Sequence, residues 1–541
     1  MGLRLLLREM PDSTMNGVLV AACLAVLLLP ACSRAPQPVA HTAPTTVAWV
    51  KPDGAVIDPI FAQAKAANKP VFLYWGAVWC PPCNQIKATV FNRPDFIARS
   101  QLFVPVYLDG DTPGAQKLGA RFKVRGCPTM ILFKSDGTEL LRLPGEVDAA
   151  RYMELLSLGL AADSSVRQSL RQVLDSDGSK LSADQWRLLA YYAWDQDEAQ
   201  LVSSSERTMT LQKLASLCPP AHGDACTRLT LKAISAAARD QRPLPDPERA
   251  LISVRQILAD PAQTRANFDV LISDGVEIVG ALTRGGSSER DRLLAQWNDT
   301  LDSMGADPGL SSGDRLSATS TKVALARLGH SEKGMVSLPA GLLAEVRKAV
   351  AEADKHANNP YERQAVIPAA ADLLSEAGLL DESDALLRAE LPRAISAYYH
   401  MLVLAANAKR RGDHSGSLDW AEQAWNAAQG PATRLQWGSG FVNRLIELTP
   451  QDVARIERSA MRVLAEIEAV PETFYERNRR GLERMGQRLL AWSREKGHTE
   501  VVARLSGQLS TVCSKLPPLD EARTTCAGLF VTPAGAAKAP L

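Results

Sequence analysis

Val71-Phe72-Leu73-Tyr74-Trp75, followed shortly by Trp79-Cys80-Pro81-Pro82-Cys83, is the stretch on which the fold turns. The apolar run reads as a buried strand, and Asn84-Gln85-Ile86-Lys87-Ala88-Thr89-Val90-Phe91 beyond the cysteines reads as helix. That order puts Cys80 at a helix N-terminus, where free N–H groups and the positive end of the helix dipole stabilise a thiolate. Two thiols at this spacing also close into a disulfide, so the chemistry implied is thiol–disulfide exchange. The same spacing makes half of a zinc site, but a structural zinc wants a second ligand pair. The chain has no other Cys-x-x-Cys and no His-x-x-x-His, so no metal is expected.

Gly126-Cys127-Pro128-Thr129 lies between a helical pattern, Ala115 to Phe122, and a second strand, Met130-Ile131-Leu132-Phe133, which ends in the turn Lys134-Ser135-Asp136-Gly137. A proline at the mouth of a strand cannot donate to a ladder and suits a tight, often cis, turn. Lys69-Pro70 precedes the first strand, and Pro144-Gly145 precedes a last helix from Ala149 to Leu160.

In this order and spacing, residues 50–162 resemble the thioredoxin family. Within it they are similar to the C-terminal thioredoxin-like domain of the thiol:disulfide interchange reductases of the bacterial envelope. The resemblance implies an α/β thioredoxin-like domain over about a fifth of the chain, with Cys80 as nucleophile and Cys83 as resolving thiol. It also implies a cis-Pro128 loop that docks substrate backbone beside the sulfurs, with Trp79, Cys127, Pro128 and Thr129 as the substrate-binding residues. No cofactor is expected beyond the Cys80–Cys83 disulfide itself.

Three departures from the family pattern matter. Thioredoxins carry a buried Asp six residues before the first cysteine, where this chain has Tyr74, a weak acid of pKa about 10. The relay that deprotonates the resolving thiol is therefore missing, and water or substrate must do that work. The dipeptide Pro81-Pro82 lacks the histidine of strongly oxidising relatives, which points to a potential at the reducing end. Cys127 is the third departure: it is open as a small half-buried lining residue, a second resolving thiol, or the third member of a thiol trio for a soft ion such as Cu(I).

Arg4 and Arg8 precede an apolar segment, Val18 to Leu29, too short for an ordinary membrane span and consistent with a signal peptide over residues 1–31. Leu29-Pro30-Ala31-Cys32 resembles the bacterial lipobox, which would make Cys32 the lipidated mature N-terminus and Ser33 an outer-membrane sorting signal. Ordinary cleavage after Ala31 is the alternative. Residues 32–49, rich in Ala and Pro, read as a flexible tether. The location expected is the periplasm, lipid-anchored.

Of nine cysteines, four remain after Cys23, Cys32, Cys80, Cys83 and Cys127 are set aside. Local pairing, Cys218 with Cys226 and Cys513 with Cys526, costs least loop entropy and would staple two Pro-Pro-containing interhelical loops. The alternative is four unpaired apolar side chains.

Residues 165–532 read as an all-α, repeat-like region, with residues 533–541 as a disordered tail. Ser182-Ala183-Asp184-Gln185 is a capping box, and Val453, Ile456, Ala460, Val463, Leu464 and Ile467 keep helical period. Gly378 and Gly412 lie 34 residues apart at apparent helix–helix turns, with Glu495-Lys496-Gly497-His498 as another such turn. This resembles tetratricopeptide repeats; an irregular α-solenoid or bundle is the alternative. The seven histidines have no ligand spacing, and Arg477-Asn478-Arg479-Arg480 reads as a solvated helix face. A net charge of +1 leaves no electrostatic footprint for nucleic acid.

The expectation is an envelope thiol–disulfide oxidoreductase working in the reducing direction on protein thiols and disulfides, served by an unidentified envelope electron donor or acceptor. The helical region is expected to supply selectivity and not chemistry. Two rivals stand beside it: a helical interaction scaffold with a redox-sensing or docking thioredoxin module, and a copper-handling thiol protein.

Overall fold

The computed structural model describes residues 45–124, 126–145, 147–176, 178–197, 200–329 and 337–531. The signal segment, Cys32, most of the tether, His41, His330 and the tail at 533–541 lie outside the described residues.

The first part runs α1 (Asp58–Ala66), β1 (Val71–Gly76), α2 (Pro81–Ile86), α3 (Pro94–Arg99), β2 (Val104–Asp109), α4 (Pro113–Arg121), β3 (Thr129–Phe133), β4 (Glu139–Leu143) and α5 (Ala149–Ala161). A π turn, Lys87–Phe91, continues α2. The four strands form one sheet in the order β2-β1-β3-β4, with β1–β2 parallel and the other two pairs antiparallel. All six residues of β1 are buried because the strand is central and helices cover both faces.

Strand alternation sorts the side chains. Val71, Leu73 and Trp75 join Ile131 and Phe133 under α1 and α4. Phe72 and Tyr74 join Met130 and Leu132 with residues of α2, α3 and α5 on the opposite face. This second core does not stop at residue 162. It continues through Val166, Leu170, Trp186, Leu189, Trp194, Leu211 and Leu229, so the sequence boundary at 162/165 is crossed by continuous packing. The described residues all fall within one compact unit.

From α5 onward every regular element is helical among the described residues. The capping box at Ser182 and Gln185 opens helix Ala183–Ala190, and Asp452 caps helix Val453–Ala465. Cys218 is bonded to Cys226 and Cys513 to Cys526, each closing a turn between consecutive helices.

Gly378 and Gly412 follow helices Pro360–Glu376 and Ala397–Arg410 with φ of 85° and 77°, the left-handed region open to glycine. The following N–H groups return to the same depth in each helix, Leu379 to the Leu374 carbonyl at 2.8 Å and Asp413 to the Ala408 carbonyl at 2.9 Å. Ser383 donates to the Ala371 carbonyl at 2.9 Å and Ser417 to the Ala405 carbonyl at 2.7 Å. A 34-residue step therefore relates these two helix pairs in their bonding as well as in sequence.

The helical region then returns to the first domain. Helix Pro360–Glu376 packs on α2, and helix Glu476–Lys496 packs on α4. Gln85 of α2 donates to Asp314 at 2.9 Å and Ser311 at 3.1 Å.

Candidate active site

Cys80 and Cys83 form a disulfide at the start of α2, with Cα atoms 5.2 Å apart. Cys80 is the N-cap, in extended backbone, and its sulfur accepts from the Cys83 N–H at 3.3 Å. Pro81 and Pro82 fill the first two helical positions, where their missing N–H groups cost nothing. The Cys83 N–H is thereby the first donor of the helix, and it points at sulfur. Asn84, fully buried, fixes the loop from within by donating to the carbonyls of Val78 at 2.7 Å and Cys80 at 2.9 Å.

The pairing of β1 with β3 sets Trp75 opposite Thr129, which brings the residues before β3 to the sulfurs. Cys127–Pro128 is a cis peptide bond. The Cys127 carbonyl lies 3.6 Å from Cys80 Sγ, and the three sulfurs of Cys80, Cys83 and Cys127 all lie within 4.8 Å of one another. Cys127 is free, and burial pushes its thiol up, with Arg477 pulling the other way. Thr129 is fully buried and spends its hydroxyl on the Gly126 carbonyl at 2.7 Å.

Tyr74 occupies the buried-acid position without supplying a base. It stacks on Tyr107 at 5.3 Å and meets Phe91 edge-on at 4.9 Å; burial pushes its pKa well up, and its hydroxyl is unpartnered.

The nearest surprise is Trp79. Its indole N–H donates to Asp111 at 3.3 Å, just beyond β2. Its ring stacks on Tyr399 at 5.7 Å and meets Trp437 edge-on at 5.4 Å, and the Arg477 guanidinium lies over it at 4.6 Å. Gln364 donates to the Trp79 carbonyl at 3.1 Å. The helical region thus packs around the residue that precedes Cys80, and Cys80 is only 1% and Cys83 0% exposed.

Asp111 ties the two parts together. Thr433 donates to its carboxylate, and the Ala432 N–H donates to its carbonyl at 3.2 Å. Gly430, at φ 81°, is required here twice: the left-handed turn disfavours other residues, and a Cβ would stand 2.8 Å from that of Asp111. Burial raises the Asp111 carboxyl above its ordinary range, against the opposing pull of Thr433, Arg477 and Trp79.

Arg477 corrects the reading of its cluster as a solvated face. It is half-buried over Trp79, while Arg479 and Arg480 pair with Glu521 at 3.3 Å and Glu476 at 3.0 Å. Sequence reasoning also missed Asp111, Gln364, Tyr399, Thr433 and Trp437, none of which sits in a motif. Of the histidines, His400 is fully buried within the helical region, and no ligand cluster other than the three cysteines occurs among the described residues.

The thioredoxin-like domain family matches residues 57–159. Thiol:disulfide interchange protein DsbD 1 of Pseudomonas aeruginosa is 35% identical over 106 residues, covering 19% of this chain and 18% of that protein. A bifunctional thioredoxin reductase/thioredoxin of Mycobacterium leprae is 36% identical over 97 residues, 18% of this chain and 20% of that protein. The solved structure of a DsbH oxidoreductase aligns over 95% of its length and 24% of this chain, at 18% identity and a TM-score of 0.18. The chain spans only about a fifth of the length of the curated relatives it matches. Residues 57–159 are a thioredoxin-like domain, here joined to a large all-helical region that packs onto its redox-active face.

Proposed function

We propose that the protein is a protein-disulfide oxidoreductase of the bacterial envelope that reduces protein disulfides through Cys80 and Cys83. The observation that carries this reading is the Cys80–Cys83 disulfide at the N-terminus of α2, beside the cis-Pro128 loop. In the reducing direction the Cys80 thiolate attacks a substrate disulfide. A Cys80–substrate disulfide forms, and one substrate sulfur leaves as thiolate. Cys83, deprotonated by water or by that leaving thiolate, then attacks Cys80 Sγ. The second substrate sulfur departs, and the intramolecular disulfide remains. Two electrons pass to the substrate, and an envelope donor must return them.

Envelope placement and anchoring through Cys32 rest on the N-terminal sequence. No helix among the described residues is long and apolar enough to cross a membrane. The test is a trapping pair: Cys83→Ser should accumulate mixed disulfides with substrate proteins in the envelope, and Cys80→Ser should accumulate none. Adducts on the Cys80 variant instead would reverse the roles.

The convergence of three sulfurs favours one second reading, Cu(I) held by the reduced protein through Cys80, Cys83 and Cys127. Anaerobic copper titration of reduced protein separates the two: stoichiometric binding lost in Cys127→Val would support it.

A further inference from the structure

Arg477 reaches the redox site from the helical region and is held there by three contacts. Its backbone N–H donates to Gln116 of α4 at 3.0 Å, and Gln116, fully buried, donates in turn to the Gly110 carbonyl. One guanidinium nitrogen, Nη2, donates to Gln436. The guanidinium then lies over Trp79 at 4.6 Å, one residue before Cys80.

What this cation lacks is an anion. It makes no ion pair with a described residue, and its Nη1 is buried without a partner. Asp111 attracts it, yet the Asp111 carboxylate accepts its hydrogen bonds from Thr433 and from the Trp79 indole instead. A half-buried guanidinium without a counter-ion is unfavourable, because burial strips its hydration. That imbalance belongs to the oxidised state, in which Cys80 and Cys83 are joined and carry no charge.

Reduction changes the charge. Two electrons and one proton from a dithiol donor break the Cys80–Cys83 bond and leave a Cys80 thiolate and a Cys83 thiol, while the donor closes to a disulfide and releases its second proton. The titratable groups whose charge reaches Cys127, and through it the sulfur cluster, come from several elements: Tyr74 and Tyr107 from the sheet, Asp111 beyond β2, and Tyr399 and Arg477 from the helical region. Arg477 alone among them is a cation. It pulls the Cys127 thiol down against burial, and the Cys127 sulfur lies within 4.8 Å of those of Cys80 and Cys83.

We propose that Arg477 is the counter-ion of the Cys80 thiolate, a positioning residue that the helical region supplies to the thioredoxin-like domain. The inference deepens the oxidoreductase reading and rests on it for its use. A cation that stabilises the reduced, charged state keeps Cys80 ionised near neutral pH and raises the reduction potential of the pair. The helical region then shapes the chemistry as well as the selectivity.

The test compares the reduced full chain with Arg477→Gln and Arg477→Lys. Iodoacetamide labelling of the Cys80 peptide against pH, read by mass spectrometry, gives the midpoint of thiolate formation, and equilibration with glutathione gives the redox equilibrium constant. Arg477→Gln should raise the midpoint by about one pH unit, the low end of the effect of an opposite charge. It should also shift the equilibrium about tenfold toward the disulfide, or ~30 mV. Arg477→Lys keeps the charge and should leave both readings close to native. Where Arg477→Gln does not fold, Arg477→Met, which keeps the stem over Trp79, serves as the neutral variant. Equal shifts in the neutral and lysine variants would reduce Arg477 to packing and overturn the proposal, as would an unchanged midpoint in the neutral variant. The expected shifts in a protein whose Cys83→Ser variant traps no substrate would uphold the counter-ion and remove the oxidoreductase reading instead.

Discussion

The guanidinium of Arg477 lies 4.6 Å above the ring of Trp79, the residue that immediately precedes Cys80, although the two are separated by most of the chain. With Tyr399 and Trp437 against the same indole, the redox disulfide is enclosed by the protein's own helices.

Loosening that packing should speed reduction of the disulfide. An aromatic pair is worth about 0.5–1.5 kcal/mol beyond its area, so Tyr399→Ala or Trp437→Ala should raise the rate of reduction by dithiothreitol roughly two- to tenfold. Stopped-flow tryptophan fluorescence with quenched alkylation reads it. An unchanged rate would mean that the reductant enters by a route these rings do not cover.

Cys127 should be a poor nucleophile at neutral pH. Its pKa is raised by burial, so it remains a protonated thiol where an ordinary thiol begins to ionise. In reduced protein at pH 7.5, iodoacetamide should label Cys80 well before Cys127, and Cys127 labelling should climb only above pH 9. Mass spectrometry of the alkylated peptides decides it, and early modification of Cys127 would refute the assignment. Cys127→Val should keep dithiol turnover within about threefold, the scale of an ordinary volume-conserving change.

Asp111 should leave a signature in stability against pH. Its folded pKa lies above the ordinary value of 3.8, so between that value and its folded pKa the native state holds a proton that the unfolded chain has lost. Its contribution to stability is fully present below pH 3.8 and is lost as pH rises through the folded pKa. Asp111→Asn cannot titrate. Relative to the native protein, its melting temperature should therefore improve from pH 4 to pH 7, and a constant difference would show that Asp111 titrates normally.

The two helix staples should act on the unfolded chain. Their sequence separations are 8 and 13 residues, for which loop-entropy loss corresponds to about 2–3 kcal/mol each. Paired Cys→Ala changes at Cys218 and Cys226, or at Cys513 and Cys526, should lower stability by that amount in denaturant titrations while leaving the reactivity of Cys80 unchanged.

The first helical pairs show why some of this was legible in advance. Cys80, Cys83 and the two prolines between them span one helical turn, so their geometry follows from local rules of strand, cap and proline. The same holds for the short-range disulfides and for Gly378 and Gly412, whose turns are set by a positive φ within a few residues. Helical period likewise marks Ile456, Ala460 and Val463 as an inward stripe before any partner is known. These features belonged to the sequence alone.

What the fold decided is which surfaces those stripes meet. Periodicity says that a helix has an apolar face, but not that helix Pro360–Glu376 rests on α2 or that Thr433, 322 residues away, and its neighbour Ala432 bond to Asp111. Arg477 is the sharpest case: in sequence it is one of several basic residues on what reads as a solvated helix face, and only docking against the thioredoxin-like domain turns its planar cation onto an aromatic face. An arginine side chain suits water and an indole surface alike, so its role depends on what the tertiary structure places in front of it.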